Sequence, residues 1–171
     1  NVHDAVMHLV EGHCDLLIAY HHPSQPLPLA TDRYDMLCLG EETIAPYARP
    51  VADGRAAWRL PGRAGQPLPY LGYAPGAYLG RVVDQLLTQH GTPIHLDRVY
   101  ETDMAEGLKA MALEGHGLAF LPASAVRKEV RAGLLVRVDM ESRTQDAAAR
   151  RAAQMPLELS MEIRAYRQKV A

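Results

Sequence analysis

The chain has 171 residues, 48% of them hydrophobic and 22% charged, which suits a soluble globular protein with one core or two small lobes. A formal net charge of −2, with arginines scattered rather than clustered, argues against this segment gripping nucleic acid. No apolar run approaches the length needed to cross a bilayer and no signal-peptide pattern is present, so no membrane partner is expected.

In chain order, residues 3–11 carry Ala5, Val6, Leu9 and Val10 on one helical face, and Gly12 ends that helix. Residues 15–20 read as a buried strand, and 22–30 as a proline-rich loop. Two strands, 34–39 and 43–48, are expected around a turn at Gly40, Glu41 and Glu42, where both carboxylates would be solvated. Cys14 and Cys38 stand in apolar surroundings and read as buried free thiols, with a disulfide left open if they fall on neighbouring strands. Residues 50–69 lack periodicity and form an irregular connection. A strand at 70–73, a glycine-containing turn at 72–76, a helix at 78–90 and a strand at 94–100 follow.

Thr102 and Asp103 then open a helix with Leu108, Met111 and Ala112 inward, and Gly115 and Gly117 end it. A strand at 118–121, closed by Pro122, a helix at 123–131 and a strand at 134–138 complete that unit. Helix and strand alternating at this spacing predict an α/β fold with parallel strands. Residues 141–154 are polar and Ala/Arg-rich, an exposed helix or mobile loop, and 157–166 alternate as a last strand.

Gly72, Gly76 and Gly80 recur across a strand-to-helix turn, where backbone can approach a ligand and free N–H groups favour an anion. Tyr73, Ala74, Pro75, Gly76, Ala77, Tyr78 and Leu79 are the candidate contacts, against the simpler reading of a tight turn. Thr102 and Asp103 suit helix capping, and Thr102 would also suit a polar ligand, whereas Asp103 would repel an anion. An anion would then rest on backbone N–H groups around Gly76 and Thr102. The eight histidines lack metal-ligand spacing, so no metal site and no cofactor is expected. Ser24, Ser124, Ser142 and Ser160 lack a nucleophile elbow, and no catalytic set emerges.

The wording of residues 101–138, ETDMAEGLKAMALEGHGLAFLPASAVRKEVRAGLLVRV, resembles the ligand-domain signature of LysR-type transcriptional regulators, and HDAVMHLVEGHCDLLIAY at 3–20 resembles another unit of that family. The resemblance implies a two-lobed periplasmic-binding-protein-like (type II) fold, each lobe a mixed, mainly parallel sheet flanked by helices. Residues 1–49 and 156–171 would form part of lobe I and 50–155 lobe II, with crossovers near 48–50 and 154–156. A strand and helix before Val2 and a helix after the last strand are expected elsewhere in the family, so lobe I would be incomplete and its sheet would show an edge.

The same resemblance implies a cytoplasmic sensor that binds a small-molecule effector between the lobes. It would form a homodimer, or a tetramer at full length, through the helix at 79–90, and touch DNA only through an upstream helix-turn-helix. Ligand contacts would come from Tyr73, Ala74, Pro75, Gly76, Tyr78, Leu79, Thr102, Asp103 and Met104. Val2 falls where the family often has an effector-binding Ser or Thr, and its side chain has no hydrogen-bonding group. The segments around 78–91 and 102–122 further resemble the hypochlorite-responsive branch. Met104 matches a sensing methionine there, and Leu79 stands where another would be. A transporter's solute-binding protein and an enzyme on the same fold are the competing classes; a signal peptide upstream would favour the former.

Overall fold

Helix α1 (Val2–Val10) turns Val6 and Leu9 inward, and its first turn is capped by Asn1, whose side chain accepts the Asp4 N–H at 2.9 Å. The computed structural model to which it belongs describes residues 1–142 and 144–170. Strand β1 (Leu17–His21) follows, and then β2 (Tyr34–Ala48), a single strand of 15 residues where the sequence suggests two. Residues 40–44 pair with β7 (Leu159–Gln168) instead of turning, and Leu39 is the extra residue at a register shift between Cys38 and Gly40. Glu42, expected to be solvated, is therefore on a paired strand and only 5% exposed. The buried-thiol expectation also fails. Both cysteines are free, Cys14 half-buried and Cys38 exposed, because residues 36–39 of β2 stand clear of the core on both faces.

Strand β3 (Leu68–Tyr73), α2 (Tyr78–Gln89), β4 (Leu96–Thr102), α3 (Ala105–Leu113), β5 (Leu118–Pro122) and α4 (Ala123–Arg131) come next, close to their expected bounds. The expected strand at 134–138 shrinks to β6 (Val136–Arg137), although Leu135 and Val138 beside it are buried. Segment 141–154 yields a short helix, α5 (Ala147–Ala153), capped by the Asp146 carboxylate and burying no residue. Arg143 of that segment and Ala171 lie outside the described residues.

The strands join in one seven-stranded sheet of order β1-β7-β2-β5-β3-β4, with β6 also paired to β2. Pairing is parallel between β3 and both β4 and β5. It is antiparallel between β1 and β7, β7 and β2, and β2 and β5, so the expected mainly parallel pairing holds only around β3. Two apolar cores pack against the strands of the sheet. The larger is built on Phe120, Leu71, Leu108, Leu118 and Leu121, all fully buried; the smaller joins Val6 and Leu9 to Leu17, Tyr34 and Tyr166. Val2 and Leu27 touch both.

Two glycines separate their roles at the end of α3. Gly115, at φ +83°, takes the left-handed turn that stops the helix. Gly117 instead lets β5 approach β3: a Cβ there would lie 2.7 Å from the Pro69 carbonyl oxygen. Among the described residues no helix is long and apolar enough to cross a membrane.

Candidate functional site

Strands β4, β3 and β5 are parallel neighbours, so all three end at the same edge of the sheet, and the helices that follow them begin there. Open α/β sheets bind ligands beyond the carboxyl ends of their strands, where such helix starts gather. Here the starts of α2, α3 and α4 meet residues of α1, β1, β2 and β7 around a cavity of about 830 Å³. That volume holds a small organic molecule.

Of the residues expected to touch a ligand, Tyr78, Leu79, Asp103 and Met104 line this cavity, as does Ala77. Tyr73, Ala74, Pro75, Gly76 and Thr102 do not, because their polar groups close the turn on itself. The Ala74 N–H donates to the Thr102 carbonyl at 2.9 Å and the Ala77 N–H to the Ala74 carbonyl at 3.1 Å. The Gly76 carbonyl accepts from Arg81 Nη1 at 2.6 Å. Tyr73 is buried and donates its hydroxyl to the Phe120 carbonyl at 2.8 Å, and burial holds its phenol well above the ordinary pKa. Thr102 does not cap α3 itself. Its Oγ1 accepts the Met104 N–H at 3.4 Å, and Met104 is the N-cap residue, with no side-chain bond to the helix.

The third helix start was not singled out in the sequence. Ser124 and Arg127 of α4 line the cavity, and Glu42 reaches across from β2. The Glu42 carboxylate accepts the Ser124 N–H and the Thr43 N–H, each at 3.2 Å, and the Ser124 hydroxyl at very short range. An acid thus accepts a free N–H at the start of α4, as the helix dipole favours. Tyr20 lies beside it; burial pushes its phenol up, the Glu42 charge adds to that, and the Ser124 hydroxyl opposes it. The third strand–helix junction, Leu118 to Ser124, carries the same sequence signal as the junctions before α2 and α3.

Tyr78 ties the cavity to the proline-rich loop. Its hydroxyl accepts the His22 N–H at 2.8 Å and donates to the Gln25 carbonyl at 2.9 Å. Arg81, one turn further on, donates to the Gln25 side chain at 3.0 Å and lies over the Tyr78 ring. Met104 is 63% exposed at the cavity wall, so its thioether is open to solutes. Val2 also lines the cavity, at the position the resemblance assigned. Among the described residues no group of His, Cys, Asp and Glu is set to hold a metal ion, and Ser124 is bonded to an acid rather than to an imidazole.

Residues 1–162 match the family described as the LysR substrate binding domain. The HTH-type transcriptional regulator YjiE of Escherichia coli K12 is 32% identical over 137 residues, which cover 80% of this chain and 42% of that protein. The HTH domain-truncated transcriptional regulator QseD of Escherichia coli O157:H7 is also 32% identical over 137 residues, covering 80% of this chain and 53% of its own length. The chain therefore spans about half the length of these curated relatives. In three dimensions it is similar to the apo regulatory domain of HypT from Salmonella typhimurium, with a TM-score of 0.77 and 28% identity over all of this chain and 71% of that one. Full-length HypT, described as a hypochlorite-specific LysR-type transcriptional regulator, matches with the same TM-score and identity over 51% of its chain.

Proposed function

Because the chain belongs to the LysR substrate-binding domain family, and so is the effector-binding domain of a transcriptional regulator, we propose that its effector is a small molecule held in the cavity of about 830 Å³. The observation that supports this most is the convergence of three helix starts with β1 and β2 on that one space. Tyr78, Leu79, Asp103 and Met104 are the contacts carried from the sequence, joined by Tyr20, Glu42 and Ser124. In this reading residues 1–49 with 156–171 form one lobe and 50–155 the other, joined near 48–50 and 154–156. A ligand with different affinity for two lobe arrangements shifts their populations. The regulator is a cytoplasmic homodimer that pairs through α2, acts by binding rather than catalysis, and reaches DNA through a helix-turn-helix outside this sequence.

The test is a reporter assay in cells carrying the full-length regulator. Ala77→Trp fills the cavity at the α2 start and abolishes the response to the inducing metabolite, while circular dichroism of the purified variant stays that of the parent. A filled variant that responds normally removes the cavity from the account.

A second reading rests on Met104, whose exposed thioether faces the same cavity, and on the similarity to hypochlorite-specific HypT. Hypochlorite transfers its oxygen to the thioether sulfur, giving the sulfoxide and chloride, and the side chain becomes polar. Met104→Leu roughly conserves volume and blunts the response to hypochlorite without unfolding the domain. An unchanged oxidant response discards this reading. The small-molecule reading is preferred because Leu79 interrupts the methionine set.

A further inference from the structure

We propose that the effector carries a protonated amine on a short apolar body; this deepens the proposed function and rests on the cavity being the effector site. The charged side chains at the cavity wall are three carboxylates, Glu41, Glu42 and Asp103, and one guanidinium, Arg127. Each of the ion pairs found among the described residues joins other groups, so these four meet the cavity without a partner of opposite charge within 4.0 Å. Glu42 is the most demanding of them. It is 5% exposed, and its donors are two N–H groups and one hydroxyl, all uncharged. Buried carboxylates are ordinarily matched by a cation, and the open space beside this one is where a ligand would bring it.

The same wall is poorly suited to an anion. The helix starts are the natural anion seats of such a fold, and two of the three are already faced by acids of the protein. Glu42 sits on α4, and Asp103 immediately precedes the Met104 N-cap of α3, with Glu106 in the first turn. The first turns of α2 and α4 carry no acidic residue of their own, and the α4 start is faced instead by Glu42 of β2. Near Gly76 and Thr102, the Ala74, Ala77 and Met104 N–H groups are bonded within the turns, which leaves fewer backbone donors for an anion. Ile18, Leu79, Met104 and Ile163 supply an apolar lining for the body of the ligand. Arg127 leaves room for a carboxylate on the same molecule, so an amino-acid-like zwitterion belongs to the class, whereas a simple carboxylate does not.

A matched six-carbon series tests the charge alone. Hexylamine, hexanol and hexanoate are titrated into the full chain at pH 7.5 by calorimetry, with thermal unfolding in parallel. Hexylamine is expected to bind at least about tenfold more tightly than hexanoate, a difference of about 1.4 kcal/mol. Glu41→Gln and Asp103→Asn should each weaken hexylamine about threefold or more and leave hexanol unchanged. Hexanoate binding as tightly as hexylamine overturns the amine assignment and leaves the cavity as the effector site. No binding by any of the three to folded protein overturns the assignment and counts against the cavity as well. Hexylamine binding that survives both variants and Ala77→Trp lies elsewhere on the protein and also overturns it.

Discussion

Tyr78→Phe removes one oxygen atom from the junction between the α2 start and the proline-rich loop. The lost hydroxyl accepts the His22 N–H at 2.8 Å and donates to the Gln25 carbonyl at 2.9 Å, both in part-buried surroundings. The ring remains, as do its packing beneath Arg81 and the Arg81 bond to Gln25. A net hydrogen bond is worth about 1 kcal/mol, and stranding a buried partner costs about 1–3 kcal/mol. Water reaches part of this junction, so the loss should be about 1–2 kcal/mol in total. In a domain of this size that corresponds to a fall in Tm of about 3–6 °C. Urea unfolding should show a lower midpoint with an unchanged slope, since the folded surface is the same. Amide exchange at His22 should rise with it, because that N–H loses its acceptor. A change below about 0.3 kcal/mol, with His22 exchange unaltered, would refute the claim that this hydroxyl holds the loop to α2.

Two glycines give a contrast. Gly117→Ala forces a Cβ to 2.7 Å from the Pro69 carbonyl oxygen and 3.0 Å from its carbon, between strands that cannot part easily; chemical denaturation should show a loss of about 2–3 kcal/mol. Gly76→Ala meets no atom within 4 Å and pays only for a backbone φ of +85°, so about 1 kcal/mol is expected from the same measurement. The alkaline limb of stability should report Tyr70, whose phenol burial pushes up to about 12. Below pH 10 the folded and unfolded states both keep that proton. Between 10 and 12 the unfolded chain releases it and the folded chain does not, so stability falls as pH rises. Tyr70→Phe should flatten that limb in urea titrations between pH 9 and 11, and an identical slope in the variant would contradict the assignment.

The α/β unit from β3 to α4 was legible because each element is short, punctuated by Gly or Pro and locally consistent, as in Leu118–Pro122 followed by Ala123–Arg131. The sequence did not reveal β2 as one strand, since Gly40 reads locally as a turn and only the pairing with β7 keeps the chain extended through it. The same pairing decides Glu42. A carboxylate following a glycine and a second glutamate looks solvated, and only the tertiary approach of α4 adds the two Ser124 donors to the neighbouring Thr43 N–H. At the site, the starts of α2 and α3 could be read from their strand–turn–helix wording. Which side of each turn faces the cavity could not, because it depends on hydrogen bonds such as Ala74 to Thr102 that tie Tyr73–Gly76 away from it. The cysteines illustrate the converse: apolar neighbours in sequence did not bury Cys38, because that half of β2 is uncovered.

The central claim, that one cavity bounded by three helix starts receives the effector, is tested most directly by hydrogen exchange on the full-length regulator with and without a compound that induces it in the reporter strain. The account predicts slowed exchange at residues 77–80, 104–106 and 123–126, together with 17–20 of β1, since each of these segments contributes residues to the cavity wall. Protection confined to other surfaces, with these four segments unchanged at saturating compound, would contradict it.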